Sequence, residues 1–136
     1  MTTLKGEEKI KNRKVAIDFF SNERNLLECI PGIKKIEGKR FTIEAKIGPL
    51  RAELSGQVEE YEVRENEVSN LLKVEGPGLT VMIKTRLHIT EAELNWEAEY
   101  LTDGSLAKAL ASTIAKQAEE VSRSIISCAL SKINRS

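Results

Sequence analysis

The 136-residue chain balances 21 Lys and Arg against 21 Asp and Glu, so no overall field draws it to nucleic acid or to an anionic membrane surface. Its six aromatic residues do not interleave with basic clusters, as a surface that stacks single-stranded bases requires. Length and the absence of repeats or a Pro/Gly/Ser-rich linker predict a single domain over 1–136, large enough to bury one sizeable core.

Residues 3–10 predict a short first strand. "KNRKVAIDFF" then places Val15, Phe19 and Phe20 near one side of a short helix. Ser21 and Asn22 offer N-cap chemistry for a second short helix through Leu26, Leu27 and Ile30, which Pro31 and Gly32 end. From residue 33 the period changes to two, weakly in "IKKIE" and clearly in "RFTIEAKI", where Phe41, Ile43, Ala45 and Ile47 share a face. After a turn at Gly48-Pro49, Leu50, Ala52, Leu54 and Val58 keep one phase and Tyr61 and Val63 the other. A bulge near Glu59 or Glu60 would restore one inward face.

"VSNLLKV" and "LTVMIKTRLHI" flank Gly76-Pro77-Gly78 as a hairpin, with Leu79, Val81, Ile83, Leu87 and Ile89 inward. In "EAELNWEAEY", Ala92, Leu94, Trp96, Ala98 and Tyr100 alternate with Glu and Asn, giving a core face and a wet face. Lys84 and Arg86 occupy the outward phase of the strand before, where cross-strand pairing with those glutamates is expected.

The last segment reads as one long helix over 106–133, about 42 Å at 1.5 Å per residue, capped by Asp103 or Ser105. Its stripe is Leu106, Leu110, Ile114, Ala118, Val121, Ile125, Cys128 or Ala129, and Ile133. Small residues flank it at Ala107, Ala111, Ala115 and Ser122, consistent either with close helix-to-sheet contact or with a gap. The fold class is therefore α+β, with a curved antiparallel sheet that must wrap around the helix if both apolar faces are to be buried.

Catalytic chemistry finds little support. The one histidine, His88, is on the outward phase, and with two distant cysteines it cannot complete a metal set. No cofactor is expected, and Gly76-Pro77-Gly78 lacks the context of a phosphate loop. Cys29 and Cys128 have no motif spacing and read as reduced core thiols. No segment approaches the roughly 20 apolar residues of a membrane span, which predicts a soluble, cytoplasmic protein. Asn70 and Thr85 are the inward polar residues that could orient a ligand carbonyl, with a satisfied internal hydrogen bond the favoured reading.

Leu4 and Gly6, "NERNLLECIPGIKKIE", "FTIEAKIGPLRAELSGQVE", "LNWEAEY" and the closing helix together resemble the carbon monoxide dehydrogenase CoxG family of the START-like, helix-grip superfamily. The resemblance implies a sheet gripping the last helix, with an apolar cavity between them. It also implies association with a molybdenum hydroxylase-type dehydrogenase, linking that enzyme to the membrane and its quinone pool. Longer members carry a C-terminal extension for membrane contact, whereas this sequence stops at "KINRS", so at most peripheral contact is expected.

Taking the inward phase of each element, the expected cavity lining is Phe20, Leu27 and Ile30 from the short helices, and Phe41, Ile43, Leu54, Asn70, Leu72, Val81, Ile83, Thr85, Leu94 and Trp96 from the sheet. Leu110, Ala111, Ile114, Ala118 and Val121 complete it from the last helix. The resemblance further implies that Pro31 and Gly32 form its entrance turn, with Leu26, Leu27 and Ile30 as part of a lid. The leading expectation is a non-catalytic module holding an apolar, quinone- or lipid-like molecule. The alternative is an assembly or docking subunit whose cavity is vestigial.

Overall fold

The computed structural model describes residues 2–47 and 49–135, so the expected Gly48-Pro49 turn lies in part outside the described residues. The alternating segments become seven strands: β1 (Thr2–Lys9), β2 (Ile33–Glu37), β3 (Arg40–Ile47), β4 (Leu50–Arg64), β5 (Glu67–Gly76), β6 (Leu79–Ile89) and β7 (Glu93–Asp103). All pair antiparallel in one sheet of order β1-β7-β6-β5-β4-β3-β2. The first two strands therefore occupy opposite edges. Between them run α1 (Arg13–Ser21) and α2 (Glu23–Leu27), which close one end of the curved sheet.

Local chemistry accounts for these boundaries. The Asn12 side chain caps α1 by accepting from Val15 N, and Asn22 caps α2 by accepting from Arg24 N at 3.0 Å. The buried face of α1 is Ala16 and Phe20, four residues apart, whereas Val15 is 43% exposed. The expected Val15–Phe19–Phe20 face is thus rotated by about one position. In β4 the register slips between Val58 and Glu60, as the change of phase requires. Tyr61 thereby turns inward opposite Asn70, and its hydroxyl donates to the Phe20 carbonyl at 2.6 Å. Val63, near the end of the strand, remains 40% exposed. Ala92, expected on the inward face of the last strand, is exposed in the bend before β7. The register sets Lys84 opposite Glu99 and Arg86 opposite Glu97, but neither expected ion pair closes to within 4.0 Å.

The last helix is not continuous. α3 (Ser105–Ala109) ends at Leu110, whose φ of −119° and ψ of 33° leave the helical region, and α4 (Ala111–Ile133) begins there. Neither Asp103 nor Ser105 caps it; Gly104 is the N-cap residue, and Asp103 instead accepts from Gly104 N. The β5–β6 turn holds α3 in place, since Leu106 N donates to the Gly78 carbonyl at 2.8 Å. Such a long-range contact leaves no trace in a helical stripe. The 23-residue α4 is about 34 Å long and lies in the concavity of the sheet.

Cys29 and Cys128 form a disulfide rather than two free thiols. Cys29 follows α2, which packs on α4, and this brings the two Cα atoms to 5.6 Å, within bridging range. A pairing across 99 residues carries no spacing signal. At the same end, Lys11 N donates to Asn134 Oδ1, and Asn134 Nδ2 donates to the Lys9 carbonyl, tying the end of α4 to β1.

Candidate functional site

Buried apolar residues fall into two clusters. One surrounds Phe20, Leu87, Leu94 and Ile126, and the other surrounds Phe41, Leu54, Leu72 and Ile114. Between sheet and α4 lies a cavity of about 320 Å³ whose wall draws on both clusters. The small residues on the helix leave part of this gap, but not all of those singled out in the sequence do so. Ala118 and Ser122 line the cavity, Ala107 is buried away from it, and Ala111 and Ala115 face solvent.

Of the residues expected in the lining, Ile30, Phe41, Ile43, Leu54, Asn70, Leu72, Val81, Ile83, Thr85, Trp96, Ile114, Ala118 and Val121 lie on the wall. Phe20, Leu27 and Leu94 are instead fully packed in the clusters, with no more than 1% of their surface exposed. Leu110 marks the helix break and Ala111 points outward, so neither reaches the wall. Leu26 joins the lining in place of Leu27. Val74, Leu79, Leu87, Ala98 and Tyr100, on the inward strand phases, also line it, as do Ile125 and Ile126 from α4. Strand phase alone could have found the first five.

The mouth is set by Pro31, Gly32, Glu44 and Lys46, the exposed members of the lining. Gly32 takes φ +80°, and a Cβ there would overlap the Glu44 carbonyl oxygen. Glu44 N in turn donates to the Gly32 carbonyl at 2.8 Å, so the turn is fixed to β3. Cys29, three residues earlier, is bound to α4. The segment at the mouth is therefore held from two sides.

Few polar groups reach the interior. The Tyr100 hydroxyl donates to the Ala118 carbonyl at 3.0 Å and lies 2.6 Å from Ser122 Oγ. Burial raises the Tyr100 hydroxyl's proton affinity, against a smaller opposing effect of the Ser122 hydrogen bond. Tyr61 is also pushed up, by burial first and then by the Glu23 charge. Trp96 donates from Nε1 to Glu8, and its indole lies over Gly6, where a Cβ would overlap the ring. Asn70 is 3% exposed, and neither its Oδ1 nor its Nδ2 has a hydrogen-bond partner. Thr85 stands opposite it on β6.

His88 is exposed on the outer face, between Glu67 and Asn95 in register. Among the described residues, no group of three or more His, Cys, Asp or Glu side chains is placed to hold a metal. Among them, too, no helix is long and apolar enough to cross a membrane.

The family model for CoxG, the carbon monoxide dehydrogenase component of that name, matches residues 6–134. Among solved structures, a conserved protein from Geobacillus kaustophilus superposes with a TM-score of 0.74 at 14% identity, covering 97% of this chain and 95% of that one. A hypothetical protein from Helicobacter pylori gives 0.70 at 13% identity, covering 96% and 86%. The Zhui aromatase/cyclase from Streptomyces sp. R1128 gives 0.67 at 6% identity, covering 98% and 94%. Likeness at these identities is likeness of fold. No curated protein matches the chain in sequence.

Proposed function

The chain belongs to the carbon monoxide dehydrogenase CoxG family, and from that premise we propose that it is a non-catalytic module holding an apolar, quinone- or lipid-like molecule between sheet and α4. The observation that supports this most is the cavity of about 320 Å³, apolar-walled and open at the α2–β2 turn. Pockets that bind small molecules begin at about this size and use a few polar groups for orientation. Burial at about 25 cal/mol per Å² supplies most of the affinity.

The wall chemistry favours binding over catalysis. Tyr100 and Ser122 engage each other and a backbone carbonyl, and an amide such as Asn70 is neither a nucleophile nor a base. The aromatase/cyclase neighbour shares the fold at 6% identity and lends no activity to this chain.

We propose as its partner a molybdenum hydroxylase-type dehydrogenase, a reading that the carbon monoxide dehydrogenase name of the family supports. A cytoplasmic location belongs to the same reading and requires the Cys29–Cys128 bond to persist against a reducing thiol pool; the burial of Cys29 supports that. Alkylation of protein taken from native cells, read by mass spectrometry, reports the state of that bond.

Native mass spectrometry of protein exposed to a lipid extract should retain a bound apolar molecule, and Ala118→Leu, which fills the cavity, should release it. Retention of nothing by the wild type overturns the binding reading. Capture of the purified dehydrogenase by both proteins alike would then leave the docking subunit as the function.

A further inference from the structure

Among the described residues of the cavity wall, one buried polar side chain has neither of its polar atoms answered by the protein. Asn70 projects from the inward phase of β5, shared with Val68, Leu72 and Val74, and only 3% of it is exposed. Both ends of its amide lack a partner, although Tyr61 and Thr85 stand beside it on β4 and β6. Tyr61 has no proton to offer Oδ1, because its hydroxyl donates to the Phe20 carbonyl. Tyr100 and Ser122, elsewhere on the wall, are engaged with each other.

A primary amide presents a donor and an acceptor side by side. A ligand ether or carbonyl only accepts, so it satisfies Nδ2 and leaves Oδ1 buried and bare. A carboxylate also only accepts, and its charge would meet no buried cation among the described lining residues, since Lys46 lies at the mouth. A hydroxyl accepts from Nδ2 and donates to Oδ1, answering both atoms with one group.

Resting on the binding-module reading, we infer that among quinone- and lipid-like molecules the cavity selects neutral ones bearing a hydroxyl, a quinol or an alcohol rather than a quinone, with Asn70 as the residue that determines this specificity. The asymmetry in hydrogen-bond energetics sets the discrimination: each buried atom left unpaired weakens the complex more than a formed bond strengthens it.

Three probes of one shape test this at neutral pH: naphthalene, 2-methoxynaphthalene and 2-naphthol, with binding followed by calorimetry. Wild-type protein should bind 2-naphthol about tenfold more tightly than 2-methoxynaphthalene, a difference of about 1.4 kcal/mol. Asn70→Leu, close in shape, should abolish that preference while keeping its hold on naphthalene. Equal affinity of the wild type for the two substituted probes overturns the inference, as it would if a buried water already answered the amide. Survival of the preference in Asn70→Leu overturns the role of Asn70. If naphthalene binds and the hydroxyl gives no advantage, only the selection falls. If none of the three binds, the module reading falls with it. Should Asn70→Leu fail to fold, the wild-type comparison alone still decides the selectivity.

Discussion

Gly32 and Tyr61 illustrate how single side chains, or their absence, hold the site in place. At φ +80° and against the Glu44 carbonyl, Gly32 has no room for a methyl group. Gly32→Ala should lower stability by about 1–3 kcal/mol, read as a shift in the urea midpoint with an unchanged slope. Tyr61 and Tyr100 keep their protons in the folded protein beyond the pH at which a free phenol, near 10.0, loses its own. Their contribution to stability is intact below about pH 10 and is lost as pH rises above it, because the unfolded chain then releases protons that the folded one retains. Urea midpoints should therefore fall between about pH 9 and about pH 11, and fall less in Tyr61→Phe. Strand phase in the sequence was enough to put Asn70, Leu72, Ile83 and Trp96 on one wall, because alternation fixes which face a side chain takes. It could not distinguish Leu94, packed solid, from Trp96, which borders space.

At the level of elements, the segment from Cys29 to Gly32 is fastened rather than free. One end is bonded to α4 through Cys128, and the other pairs with β3 through Glu44. A double change of Cys29→Ser and Cys128→Ser should lower stability by about 2–5 kcal/mol, the upper end corresponding to a closed loop of about 100 residues. It should also speed exchange of a bound apolar probe, measured by stopped-flow fluorescence, more than Pro31→Ala does. If Pro31→Ala has the larger effect, the turn rather than the bond governs the entrance. The stop at Pro31 was legible because proline and glycine act locally. The bond was not, and neither was the break at Leu110: both are consequences of what α2 and the β5–β6 turn meet in space. A periodic stripe continues through a break without losing its phase.

Across the whole molecule, the sheet-around-helix arrangement followed from the need to bury one sheet face and one helix stripe together, and seven strands in one sheet satisfy it. The volume left between them was not predictable from pattern, because it depends on how closely α4 approaches the sheet. Ala118→Leu should raise stability by about 0.5–2 kcal/mol by filling part of that volume, while lowering probe affinity; thermal unfolding and calorimetry measure the two effects. A loss of stability instead would mean that the helix cannot accept the larger side chain. The strand order has a further consequence, in time rather than in space. β1 pairs only with β7, so that Lys9 finds Glu93 and Thr2 finds Tyr100, while Lys11 is joined to Asn134 across 123 residues. Such non-local pairings slow folding, because the chain must close long loops before the contacts reward it. The hairpins from β2 to β7 can form from neighbours in sequence, whereas β1 must wait for the last strand, and the bond from Cys29 must wait for α4 to be in place. The edge that β1 covers on β7 is therefore shielded late, and in a partly folded chain it is a place where a second molecule would add a strand.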